Sequence, residues 1–100
     1  MSLDALAEAV RGRAAGGAPL DARVKFDLGT DGVILLDGTG SAPVVSTGDA
    51  PADVTLTMKF DTLRRMVDGS LSPTMAYMTG KIKANGSLTV GMRLAALLDD

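Results

Sequence analysis

Between Asp53 and Phe60 polar and apolar residues alternate without a break. Val54, Leu56, Met58 and Phe60 point one way and Asp53, Thr55, Thr57 and Lys59 the other. A period of two marks a strand with one wet face. Directly afterwards the period changes: Leu63, Met66 and Val67 form one stripe of a helix, with Asp61 as its expected N-cap and Gly69 as its stop. A sheet apolar on one side and a helix apolar on one side must cover each other, which requires a layered α+β fold.

The remaining chain fills in that plan. Leu3, Leu6, Ala7 and Val10 share one face of a short helix over Leu3 to Val10, capped by Ser2. The run Ala14-Ala15-Gly16-Gly17-Ala18-Pro19 breaks the helix into a connector. Strands are expected at Arg23 to Leu28, Val33 to Leu36 and Val44 to Thr47, joined by turns at Asp31-Gly32 and Asp37-Gly38-Thr39-Gly40. Such short connections predict an antiparallel meander. Ser72-Pro73 opens another helix, which carries Met75 and Met78 and ends at Gly80. Lys81-Ile82-Lys83-Ala84 reads as an edge strand with its cations outward, and Asn85-Gly86-Ser87 as a turn into a last helix. In that helix Val90, Leu94, Leu97 and Leu98 form one stripe, with Leu88, Met92 and Ala95 beside it. The closing Asp99 and Asp100 oppose the helix dipole, so this end is expected to fray.

Composition removes whole classes of function. The chain of 100 residues has no Cys, no His and no Trp, which takes away the commonest nucleophiles, general bases and metal ligands. The acids are dispersed and the glycines at 29, 32, 38 and 40 punctuate strand-to-strand turns rather than a strand-to-helix phosphate loop. No enzyme, cofactor or metal site is expected. A net charge of -2 with both signs interspersed gives no footprint for nucleic acid. Met1 to Arg13 do not read as a secretory signal and no apolar run is long enough to span a bilayer, so the expected address is the cytoplasm. Five of the six methionines lie in the second half, on amphipathic segments. Methionine is soft and adaptable, and on composition alone such a stripe is more often core filler than the wall of an apolar site.

The element order resembles the sterol carrier protein 2 (SCP-2) domain family. The likeness lies in Ser72-Pro73-Thr74-Met75-Ala76-Tyr77-Met78-Thr79-Gly80-Lys81, in the stretch Gly80 to Leu88, and in the apolar helix from Leu88 to Leu98. It extends upstream through Asp53 to Met58 and Leu63 to Gly69, and covers Val24 to Leu98. The resemblance implies a single domain over residues 1–100, with a five-stranded mixed, largely antiparallel sheet in the order α-β-β-β-β-α-α-β-α. It further implies an apolar tunnel between sheet and C-terminal helices that binds, and transfers inside the cell, sterols, fatty acids, acyl or isoprenoid chains. By position its lining would be Met66, Val67, Met75, Met78, Ile82, Leu88, Met92 and Leu97. The partner is then a small hydrophobic ligand, with at most transient membrane contact and a monomeric or weakly dimeric state. The N-terminal helix is shorter than the family's, and no Ser-Lys-Leu tripeptide ends the chain. The alternative function is a protein-protein interaction or oligomerisation module built on the apolar C-terminal helix.

Overall fold

The computed structural model describes residues 1–99. Helix α1 (Leu3–Ala15) leads into strands β1 (Arg23–Asp27), β2 (Val33–Asp37), β3 (Val44–Ser46) and β4 (Val54–Thr57). Helices α2 (Phe60–Val67) and α3 (Pro73–Met78), strand β5 (Lys83–Gly86) and helix α4 (Leu88–Leu98) follow, and the turn before β2 is one turn of 3-10 helix, Gly29–Asp31. The order is the one the sequence implies.

The strands form one sheet in the order β3-β2-β1-β4-β5. β1, β2 and β3 make the antiparallel meander, β4 joins β1 in parallel, and β5 closes the other edge antiparallel to β4. Register aligns Phe26 with both Ile34 and Leu56, and Val24 with both Leu36 and Val54, so alternate residues of three strands project from one face and are buried. The intervening residues, among them Lys25, Asp27 and Thr55, stand on the wetter face. There Lys25 reaches Asp49 at 2.7 Å.

Over the apolar face, α1 covers β2 and β3, while α4 covers β1, β4 and β5 and touches α3. α1, α3 and α4 each start on a serine cap. Oγ of Ser2 accepts from the Ala5 amide, Ser72 from Met75 and Ser87 from Val90. These caps satisfy donors that a first helical turn leaves without partners.

Three details differ from the sequence reading. α1 runs on past Val10 to Ala15, because Arg13 reaches inward and donates to the carbonyls of Val67 and Leu98, both at 2.7 Å. A cation at the C-terminal ends of α2 and α4 answers their dipoles; Asp100, part of the expected fraying, lies outside the described residues. α2 begins at Phe60 with Lys59 as N-cap, and Asp61 instead sits in the first turn, 2.6 Å from Arg64. The last strand is Lys83–Gly86 rather than Lys81 to Ala84, since its register pairs Ala84 with Leu56 and Gly86 with Val54.

That register depends on Gly86. Its φ is +119°, and a Cβ there would stand 2.5 Å from the Asp53 carbonyl oxygen and 3.0 Å from the Val54 Cα. Any side chain would push the edge strand off β4.

Candidate functional site

The half of the sheet under α4 is not filled. Strands β4 and β5 supply a floor of Leu56 and Ala84, α2 contributes Met66, and Ile82 comes from the segment entering β5. Pro73, Thr74 and Tyr77 of α3 form one wall, and Leu88, Gly91, Met92, Leu94, Ala95 and Leu98 of α4 form the other. Together they enclose a cleft of about 340 Å³. The Thr74 hydroxyl and the Tyr77 phenol are the polar side-chain groups on this wall, and no charged residue lines it.

Why a hollow forms here follows from the face that α4 presents. Leu88, Gly91, Met92, Ala95 and Leu98 recur at three and four, so they lie on one side of the helix. Two of the five are small, and a Cβ added at Gly91 would meet nothing within 4 Å. Large neighbours at both ends and small residues between them leave a recess in the helix surface. Across from it, α3 lasts only from Pro73 to Met78 and does not reach in to fill the space.

Of the residues expected to form the lining, Met66, Ile82, Leu88 and Met92 come together around the cleft. Val67, Met75, Met78 and Leu97 do not border it. Val67 is buried beside Met66, with its carbonyl engaged by Arg13. Leu97 lies on the far side of α4, packed against Gly17 and bordering a smaller recess of about 120 Å³ with Leu36 and Pro19. Met75 and Met78 occupy the outer side of α3, opposite the buried Pro73 and Ala76. Leu56, Pro73, Thr74, Ala84, Gly91, Leu94, Ala95 and Leu98 also line the cleft and are not among the residues the sequence leads one to expect there. The available signal was the pair Gly91 and Ala95 on a helix otherwise rich in leucine.

The mouth of the cleft is apolar as well. Tyr77, Leu88 and Met92 line it and yet are 57%, 64% and 74% exposed, with Met75 and Met78 at 54% and 74% beside them. Five of the seven large apolar side chains that the described residues expose belong to this collar.

Displaced protonation equilibria lie elsewhere. Hydrogen bonds from Thr39, assisted by Arg23, hold the Asp37 carboxyl below its usual 3.8. Lys25 lowers Asp49 in the same way, and hydrogen bonds from Ser70 lower Asp68. None of these acids lines the cleft. Among the described residues there is no cluster of His, Cys, Asp and Glu able to hold a metal ion, and no helix long and apolar enough to cross a membrane. Apart from burying apolar surface, the cleft offers a ligand one hydroxyl and one phenol.

The model of the SCP-2 sterol transfer family matches residues 3–99. The chain belongs to this family. The SCP-2 fold accounts for the whole of it: the solution structure of palmitated SCP2L2 from Aedes aegypti superimposes with a TM-score of 0.75 over 100% of this chain and 96% of that one, at 19% identity. The apo form of Sterol Carrier Protein 2 from Yarrowia lipolytica gives a TM-score of 0.67 and 25% identity over 93% of this chain and 73% of that one. Among curated sequences, Hydroxysteroid dehydrogenase-like protein 2 of Bos taurus is 40% identical over 48 residues. That stretch is 48% of this chain and only 12% of the bovine protein's length. The family's description is of sterol transfer, and the likeness to these solved structures is one of fold.

Proposed function

We propose that this SCP-2 domain is a non-catalytic carrier that holds the hydrocarbon part of a lipid in the cleft between β4, β5, α3 and α4 and transfers it within the cytoplasm. The cargo class is a sterol or a fatty, acyl or isoprenoid chain. The observation that supports this reading is the cleft of about 340 Å³ whose wall carries no charge.

Size and chemistry agree on the cargo. A methylene takes roughly the ~30 Å³ of a water molecule, so the cleft accommodates on the order of ten of them. Burial is worth about 0.8 kcal/mol per methylene, hence about 8 kcal/mol before the costs of ordering the ligand are subtracted. Nothing in the wall makes directed contacts along a chain, so selectivity among hydrocarbon shapes is broad. The polar head stays at the mouth, near Tyr77.

Lipid extraction of the purified protein followed by mass spectrometry is expected to find bound lipid. Adding a fatty acid to delipidated protein should raise Tm by on the order of 10 °C at a hundredfold excess over Kd. A lipid-free preparation whose melting is unmoved by acyl, sterol and isoprenoid compounds alike would refute the carrier reading.

A further inference from the structure

With no Cys in the chain, its six methionines hold all of its sulfur, and the absence of His and Trp leaves them as the side chains a peroxide attacks first. The fold sorts them by access. Met58 and Met66 are buried, Met66 where it lines the cleft. Met75, Met78 and Met92 are exposed, and so is Met1 ahead of α1. Of these four, only Met92 also borders the cleft, four residues after Leu88 on the side of α4 that holds the recess. One thioether is therefore within reach both of solvent and of a hydrocarbon bound in the cleft. Met75 and Met78 lie outside the wall, on the outer side of α3.

We infer that Met92 is a reversible oxidation site that sets how tightly the cleft holds its cargo. The inference rests on the carrier reading, because it needs a hydrocarbon against the Met92 side chain. The oxidant is a hydroperoxide, of which hydrogen peroxide is the simplest. A lone pair on the Met92 sulfur attacks one peroxide oxygen; the S–O bond forms as the O–O bond breaks, and the second oxygen leaves as hydroxide and takes up a proton to become water. Sulfur loses two electrons and the peroxide gains them. The resulting sulfoxide is polar where the thioether was apolar. Covering it with hydrocarbon removes it from water, and a buried polar group without a partner is unfavourable. The side-chain donors of the wall, Thr74 and Tyr77, belong to α3 on the other side of the cleft. Oxidised Met92 thus stays in water and gives up its share of the contact. A methionine sulfoxide reductase reverses the change: two thiols join as a disulfide and the oxygen leaves as water. Sulfoxides at Met75 and Met78 face solvent and leave the wall as it was.

Treatment of the delipidated full chain with dilute hydrogen peroxide, followed in time by peptide mass mapping, tests the site. Met75, Met78 and Met92 should become sulfoxides while Met58 and Met66 remain thioethers. Saturating dodecanoate should slow the oxidation of Met92 severalfold and leave that of Met75 and Met78 unchanged. In calorimetry the oxidised chain should bind dodecanoate roughly tenfold more weakly, which corresponds to losing contact with one or two methylenes. Methionine sulfoxide reductase with dithiothreitol should restore the affinity. M75L/M78L should lose affinity on peroxide treatment to the same extent as the parent chain, whereas M92L should show one affinity before and after, whatever its value. Unchanged affinity once Met92 is fully oxidised, an equal loss in M92L, or oxidation of Met92 at a rate that dodecanoate does not alter would each overturn the inference. Failure of the carrier reading looks different: the unoxidised chain then takes up no dodecanoate, which removes both, while a chain that binds it equally well in either state removes the switch alone.

Discussion

One apolar sheet face is covered in two different ways. Under α1, side chains of Leu6, Val10, Ile34 and Leu36 are at most 1% exposed and close the space between helix and strands. Under α4, strand residues of the same kind, Leu56 and Ala84, look instead into a cleft. The floors are alike, and the roofs differ: α1 presents Leu6, Ala7 and Val10 downward, whereas α4 presents Gly91 and Ala95 between larger residues. Two small residues on one helix face therefore separate a closely packed part of the sheet from one that borders the larger cleft.

The sharpest way to break that division is a matched truncation. Leu6→Ala should cost about 3 to 5 kcal/mol in denaturant unfolding, as expected for a fully buried leucine. Leu88→Ala, at an exposed position on the cleft rim, should cost less than about 0.5 kcal/mol while weakening fatty-acid binding roughly tenfold. Equal losses of stability at both positions would abolish the distinction.

A smaller effect is expected where the two halves are tied together. Arg13→Met keeps an apolar stem but leaves the carbonyls of Val67 and Leu98 without a charged donor, so unfolding should be easier by about 2 kcal/mol. Smaller still, and of opposite sign, is Gly91→Leu. Exchanging a helical glycine for a strong helix former should stabilise by about 1 kcal/mol, and the new side chain enters open space. Calorimetry should then register no fatty-acid binding; a destabilised variant that still binds would show that the recess is not where cargo sits.

The faintest effect is that of pH. Asp37, Asp49 and Asp68 titrate below their usual 3.8, held down chiefly by Thr39, Lys25 and Ser70 respectively. A lowered carboxyl stabilises the fold once it is ionised, so this contribution is present above 3.8 and fades as the pH falls through that value and below. Thermal melts should accordingly be flat above about pH 5 and shift downward in more acid solution. All three carboxylates lie outside the cleft, so fatty-acid affinity should not follow that shift.

Legibility of these features in the sequence followed the length of the repeating pattern. The alternation from Asp53 onward located β4, and the serines at 2 and 72 located two helix starts, because caps and alternation are set within a few residues. Strand β5 was displaced by two residues since Lys-Ile-Lys alternates equally well before the ladder begins. Its true position depends on Asp53 and Val54, far away in the chain. The family resemblance places Met75 and Met78 in the lining by position, but they stand outside the cleft wall, and α3 is too short for its period to show which side faces inward. The cleft itself is made by residues that are small, and a pattern drawn from hydrophobic side chains does not record a missing one.

Gly86 carries that idea further. The residue after it, Ser87, donates its amide to the Asp53 carbonyl at 2.8 Å and caps α4 through its hydroxyl. Where α4 starts, and how high it stands above the floor, is thus fixed by how tightly β5 nestles against β4. One absent methyl group at the sheet's margin acts as a spacer for both the edge strand and the roof of the cleft.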